Sequence, residues 1–143
     1  MSKTEIVSRL LMDSDLTITP LRKDVLDIFL SSQKPLSAYE VLDKLKKKRF
    51  NAKPPTVYRV IDYFVEKNII HRIETGSKYV CCAQLSNFKS NYHGILFLCK
   101  KCKHSFEFMD EEFLHFLKKF SKKQHLSINE TLIEIKGVCQ NCR

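Results

Sequence analysis

Apolar positions in the first half of the chain recur at helical spacing and then switch to alternation, a change of period that predicts three helices followed by a hairpin. Thr19-Pro20 sets an N-cap before a proline at the first helical position, and Leu21, Val25, Ile28 and Phe29 then share one face. Ser37-Ala38-Tyr39-Glu40 is a capping box, with Ala38, Val41, Leu42 and Leu45 repeating at helical spacing behind it. A basic turn, Lys46 to Lys53, leads to Pro54-Pro55 and a third helix. At about 100° per residue, Val57, Val60, Ile61 and Phe64 fall in one stripe, while Arg59, Asp62, Tyr63 and Glu66 point away from it. Ile69 to Glu74 and Lys78 to Cys82 then read as strands on either side of Thr75-Gly76-Ser77. This is the order of a winged helix-turn-helix. A small helical bundle with an unrelated hairpin would give the same pattern.

Residues Ala83 to Tyr92 are polar and aromatic without a period, which predicts a hinge. Beyond them, Ile95 to Leu98 and Ser105 to Phe108 read as short strands. Asp110 caps a helix with Glu111 and Glu112 in its first turn and Lys118, Lys119, Lys122 and Lys123 toward its end, a distribution that complements the helix dipole. Phe113, Phe116, Leu117 and Phe120 are expected to form its buried stripe. Ile133-Glu134-Ile135-Lys136 alternates as a strand, and Gly137 leads to the last cysteines. The expected class is α+β, with an N-terminal winged helix over 1–82, a hinge over 83–92 and a small α/β domain over 93–143.

The composition changes this picture only at a few points. With 143 residues, 3 Gly, 4 Pro and no low-complexity tract, the chain is neither disordered nor fibrous. Its apolar runs fall far short of the roughly 18–20 residues of a membrane span, and no signal-peptide pattern opens it, so a cytoplasmic protein is expected. The net charge of +9 favours a polyanionic partner without naming one. Six cysteines in a reducing compartment point to metal or redox chemistry, and their spacing bears on the choice.

Cys99-Lys-Lys-Cys102 and Cys139-Gln-Asn-Cys142 are two C-x-x-C knuckles, and two knuckles complete a tetrahedral four-thiolate zinc site of the closed, structural kind. A unit of about 60 residues has little core, so metal binding would give it a source of folding energy. A thiol redox pair uses the same motif, but neither knuckle sits in a thioredoxin-like strand-to-helix context. Neither the H-x-E motif of zinc deaminases nor a nucleophile elbow nor a glycine-rich phosphate loop is present, which argues against an enzyme. His71 opens the predicted wing, Cys82 closes it, His93 precedes the first knuckle and Glu107 follows it. Their convergence would tie the two halves through a second ion, although each is individually an ordinary residue.

Taken together, Ser37-Ala-Tyr39, Lys53-Pro-Pro-Thr-Val-Tyr-Arg59, His71-Arg-Ile-Glu, Tyr79-Val-Cys-Cys82, His93 and the two knuckles resemble the ferric uptake regulator family over roughly residues 5 to 143. The Pro-Pro-Thr-Val-Tyr-Arg run and the wing ending in Cys82 look most like its zinc uptake regulator branch. The resemblance implies a winged helix with a dimerisation domain, acting as a homodimeric, zinc-responsive repressor of zinc-uptake genes on AT-rich palindromic operators in double-stranded DNA. It implies about two Zn²⁺ per protomer: a structural ion at Cys99, Cys102, Cys139 and Cys142, and a regulatory ion at His71, Cys82, His93 and Glu107. Cys82 is favoured over Cys81 by its distance from His71, and strand alternation puts the two thiols on opposite faces. Tyr39 and Arg59 would approach bases, with Thr56, Tyr58 and Lys53 on the backbone or neighbouring groups. The alternatives are a sensor of iron, manganese or peroxide on the same fold, and a zinc-ribbon or thiol-redox module that does not bind DNA.

Overall fold

Ser2 caps the first helix. Its hydroxyl accepts from the Glu5 N–H while the Glu5 carboxylate accepts from the Ser2 N–H, and helix α1 (Lys3–Met12) buries Ile6, Val7 and Leu10. The computed structural model describes residues 2–13, 15–74, 77–81, 93–129 and 131–143, without the side chains of Lys3 and His93. The described chain forms two compact units, Met1–Gln84 and Leu85–Arg143.

In the first unit, α2 (Pro20–Leu30) is capped by Thr19 and has proline in its first turn, as the sequence predicts. Strand β1 (Leu36–Ser37) runs into α3 (Ala38–Lys46), whose Ser37/Glu40 capping box forms and whose Ala38, Val41, Leu42 and Leu45 are buried. After the basic turn comes α4 (Pro54–Glu66), which buries Val57, Val60, Ile61 and Phe64. Each such side chain contributes about 1.5–3 kcal/mol on burial, so this stripe fixes the rotation of the helix. Strands β2 (Ile70–Ile73) and β3 (Lys78–Cys81) form the wing, in an antiparallel sheet of order β1-β3-β2. The hairpin tip at Thr75 and Gly76 lies outside the described residues, as does Cys82, where the predicted second strand was to end.

Tyr63 departs from its expected outward position. Its hydroxyl accepts from the Thr17 N–H at 2.7 Å, and the Arg22 guanidinium stacks 3.6 Å from its ring centroid while donating to the Thr17 carbonyl at 2.6 Å. A partly covered tyrosine with a satisfied hydroxyl thus ties α4 to the segment before α2.

The second unit is a mixed sheet. Strand β4 (His93–Cys99) lies between antiparallel β5 (Ser105–Phe108) and parallel β6 (Thr131–Gly137). Helix α5 (Glu111–Lys123) is capped by Asp110, whose carboxylate accepts from the Phe113 N–H at 2.7 Å. The expected buried stripe on this helix requires correction: none of its residues is buried, and Phe116 is 62% exposed and Phe120 43%. The reason is visible in the unit's own inventory, where Leu96 and Cys99 are the only buried apolar side chains among the described residues. A three-stranded sheet of this size offers too little surface to cover four large side chains of a helix. The predicted hinge, 83–92, lies outside the described residues except that β4 starts at His93.

Candidate metal centre and nucleic-acid interface

Strands β4 and β6 end side by side, and that register builds the metal centre. Cys99 pairs with Gly137 at the end of the parallel ladder, and the Lys100 N–H donates to the Gly137 carbonyl at 2.7 Å. The first knuckle then folds back tightly: the Lys103 N–H donates to the Cys99 carbonyl and the Cys99 N–H to the His104 carbonyl, both at 3.0 Å, with Lys103 in the left-handed region at φ 65°. The second knuckle is a short 3-10 turn, Gln140–Cys142, in which the Cys142 N–H donates to the Cys139 carbonyl. The Lys101 ammonium reaches across to the Cys142 carbonyl at 2.8 Å.

The sulfurs of Cys99, Cys102, Cys139 and Cys142 all lie within 4.8 Å of one another, and those of Cys102 and Cys139 are 3.8 Å apart. A tetrahedron of thiolates with zinc–sulfur bonds of about 2.3 Å has edges of about 3.8 Å, whereas a disulfide needs about 2.05 Å. The cluster therefore has the dimensions of a closed zinc site, and no disulfide joins the described cysteines.

Charge distribution within the cluster agrees. The Cys139 N–H donates to the Cys99 sulfur at 3.4 Å, and together with the amides of Cys102 and Lys101 it draws the Cys99 thiol down to about 5. Cys142 moves the other way, up to about 12, because its hydrogen bonds with Cys139 and the other sulfurs, and its burial, favour the protonated form. Four sulfurs this close cannot all ionise without a cation between them. A divalent ion removes that conflict, since each ligand binds as thiolate.

The second candidate set is placed only in part. His71 lies on β2 opposite Val80, and Glu107 lies on β5 opposite Leu96. Both side chains are half-buried and have partners of their own. Cys82 and the side chain of His93 lie outside the described residues. Cys81 is opposite Ile70, so alternation puts its thiol on the other face of the wing from His71.

The DNA-facing candidates follow from the burial of α4 and α3. Val57 and Val60 point inward, which leaves Tyr58 and Arg59 exposed in the first turns of α4, with Thr56 half-buried beside them. Lys53 is the exposed N-cap of that helix, and its side chain makes no capping bond. Tyr39, at the start of α3, is 63% exposed, which is unusual for a residue of its size in the middle of a folded unit. Exposed aromatics and a cation at the start of the second helix of a helix-turn-helix form a surface suited to the edges and backbone of a duplex.

Sequence reasoning missed α1 and β1, although Ser2-x-x-Glu5 ahead of Ile6, Val7 and Leu10 was a readable capping signal. It also missed the backbone amides that depress the Cys99 thiol, for which spacing gives no signal beyond the knuckle itself.

Comparison with known proteins gives a consistent result. The family model described as the ferric uptake regulator family matches residues 13–136. The zinc uptake regulation protein of Escherichia coli strain K12 is 30% identical over 125 residues, covering 87% of this chain and 72% of that protein. A solved zinc uptake regulator complexed with zinc and DNA superposes with a TM-score of 0.79 at 26% identity, over 99% of this chain and 96% of the other. The crystal structure of holo XcZur gives 0.78 at 25% identity, over 99% and 98%.

Proposed function

Because the chain belongs to the ferric uptake regulator family, whose members are transcriptional regulators and not enzymes, we propose that it is a zinc-responsive repressor. It binds operator DNA as a zinc-loaded homodimer and controls zinc-uptake genes. The observation that carries this reading is the surface of α4: a helix whose buried stripe is complete leaves Tyr58 and Arg59 exposed at its start, and Tyr39 is exposed at the start of α3. An arginine at that position reads guanine in the major groove, and Lys53 and Thr56 meet the backbone. The operator is an AT-rich palindrome, matching the two-fold symmetry of a dimer whose recognition helices sit about 34–36 Å apart.

The working division is a DNA-binding domain over 1–82, a hinge over 83–92 and a dimerisation and metal domain over 93–143. Cys99, Cys102, Cys139 and Cys142 hold a structural zinc, which supplies folding energy to a unit that buries almost no apolar side chain of its own. The exposed Phe108, Phe116, Phe120 and Ile135 of that unit supply the surface that a second copy covers. The regulatory zinc belongs to His71, Cys82, His93 and Glu107, a set of one thiolate, two imidazoles and one carboxylate that suits zinc. The choice of Cys82 is supported by the position of Cys81, across the wing from His71. Each protomer then holds about two ions. A ligand set drawn from both halves lets the metal favour the DNA-competent arrangement, and the shift equals its preference for that arrangement.

The test is operator binding by gel shift with zinc and with a chelator, using the duplex enriched by the zinc-loaded protein from a randomised library, with zinc per protomer measured in parallel. Zinc-dependent, sequence-selective binding with about two ions per protomer is expected. Binding restored by iron or manganese but not by zinc would reassign the signal on the same fold. Absence of sequence-selective binding under every metal would remove the reading.

A further inference from the structure

The turn that joins α3 to α4 holds a combination the recognition surface does not use. From Lys44 to Lys53 the chain carries six basic residues and no acidic one. Two of the six are already neutralised: the Arg49 Nε donates to Asp24 of α2 at 2.8 Å, and the Lys48 ammonium lies 3.5 Å from the same carboxylate. Lys44, Lys46, Lys47 and Lys53 are exposed and form no ion pair with any described acidic group. In their midst Phe50 is 82% exposed, among the most exposed large apolar side chains described.

The turn is a built structure. The Lys48 and Arg49 N–H groups both donate to the Leu45 carbonyl, at 3.0 and 2.8 Å, and the Ala52 N–H donates to the Arg49 carbonyl at 2.9 Å. With the Asp24 clamp pulling Arg49 and Lys48 toward α2, Lys46 at the end of α3 and Lys47 and Phe50 of the turn are left displayed. Uncovered phenyl rings are normally withdrawn from water or used at an interface, and a ring framed by unpaired cations fits an anionic partner with apolar surface between its charges. The sugar–phosphate edge of a duplex has that character. The turn also leads straight into Lys53 and α4, so a duplex engaged by α4 passes beside it.

We propose that the turn between α3 and α4 is a second DNA-contacting element, in which Lys46 and Lys47 neutralise phosphates and Phe50 packs against the deoxyribose edge. The inference rests on the DNA-binding reading above but names contacts that carry no sequence information. It makes the turn a source of general duplex affinity, separate from base reading by Arg59.

The experiment titrates zinc-loaded protein with a random-sequence duplex of about 30 base pairs, roughly three helical turns, over a series of salt concentrations. The double variant K46Q/K47Q should reduce the slope of log affinity against log salt by about two and weaken binding roughly tenfold near physiological salt. Phe50→Ala should weaken binding about fivefold with the slope unchanged, because it removes apolar contact and no charge. All three positions are exposed, so unchanged zinc content and circular dichroism should accompany these losses. Arg59→Ala, run alongside on the library-selected duplex, should lose sequence preference, whereas the turn variants should keep it. An unaltered slope in K46Q/K47Q, with Arg59→Ala still impaired, would overturn the turn contact while leaving the repressor reading intact. Unchanged DNA affinity in Phe50→Ala would overturn the role of the ring. No salt-dependent binding by the unaltered protein would overturn both readings together.

Discussion

A sulfur's position decides its chemistry more than its identity as cysteine does. Donated amides draw the Cys99 thiol down to about 5, toward the thiolate form, whereas hydrogen bonds from the neighbouring sulfurs push Cys142 up to about 12, toward the protonated form. Zinc loading at pH 7 should therefore release protons from the cluster, because every ligand binds as thiolate and Cys142 is held toward its protonated form, measurable as acidification of a weakly buffered solution. Cys99→Ser and Cys142→Ser should each lose the tightly held zinc and destabilise the second unit, read by metal analysis and thermal unfolding. A folded dimer retaining full stability without that metal would contradict the structural role. On the wing, Cys82→Ser should abolish zinc-dependent operator binding while sparing the four-cysteine ion, and Cys81→Ser should leave both intact; the reverse result would move the sensing thiolate by one residue. At the duplex, Arg59→Ala should cost about 1–3 kcal/mol at the operator and relax sequence preference. The knuckles and the exposure of Arg59 were legible in the sequence because spacing and helical angle place them directly, whereas Tyr39 entered through the family resemblance. Convergence of His71, Cys82, His93 and Glu107 is not legible there, because it would depend on a long-range approach that no local period encodes.

At the level of elements, caps were the most readable signals. Thr19, Ser37 and Asp110 all cap the helices predicted for them, since a side-chain oxygen ahead of an apolar repeat satisfies amides that would otherwise be orphaned. The same chemistry at Ser2 shows that α1 was readable too. Sheet order was not: the parallel pairing of β4 with β6 joins strands separated by α5, and short apolar runs carry no mark of their partner. That pairing is close-packed at its end. A Cβ added at Gly137 would lie 3.1 Å from the Phe97 ring, which already packs against Phe106 at 6.2 Å between centroids. Gly137→Ala should accordingly cost about 1–3 kcal/mol, seen as a lower denaturant midpoint for the second unit, as the ring gives way.

For the molecule as a whole, the two units draw on different sources of stability. Among the described residues, the first has an apolar core shared by α1, α2, α3, α4 and the wing, and the second buries Leu96 and Cys99 beside a four-cysteine cluster. Exposed Phe116 and Phe120 on α5 are stacked on each other 6.3 Å apart, an arrangement that calls for a covering partner. Phe116→Asp should shift the protein toward monomer by sedimentation and weaken operator binding, while the first unit keeps its fold. Stability of the metal-stripped second unit should depend on pH in a definite sense. The Cys99 contribution is complete above the ordinary thiol value of 9.0 and is lost as pH falls toward about 5; the Cys142 contribution is complete below 9.0 and is lost as pH rises toward about 12. Urea midpoints of the stripped protein should thus peak near pH 9.0, and a monotonic profile would contradict the opposed shifts.

The parallel register that sets Cys99 beside Gly137 also bears on how the chain folds. Cys102 and Cys139 are 37 residues apart, so the ligand set assembles only after a long loop has closed. A slip of one residue between β4 and β6 would move one knuckle about 3.3 Å along the other and reverse its side chains. The displaced sulfurs could not enclose an ion. Metal capture would then act as proofreading on strand alignment: a mispaired chain would gain nothing from zinc and could reopen, whereas an aligned chain would be locked on capture. Refolding in the presence of zinc should yield a single homogeneous product, and refolding under chelation a mixture that zinc, added later, slowly resolves.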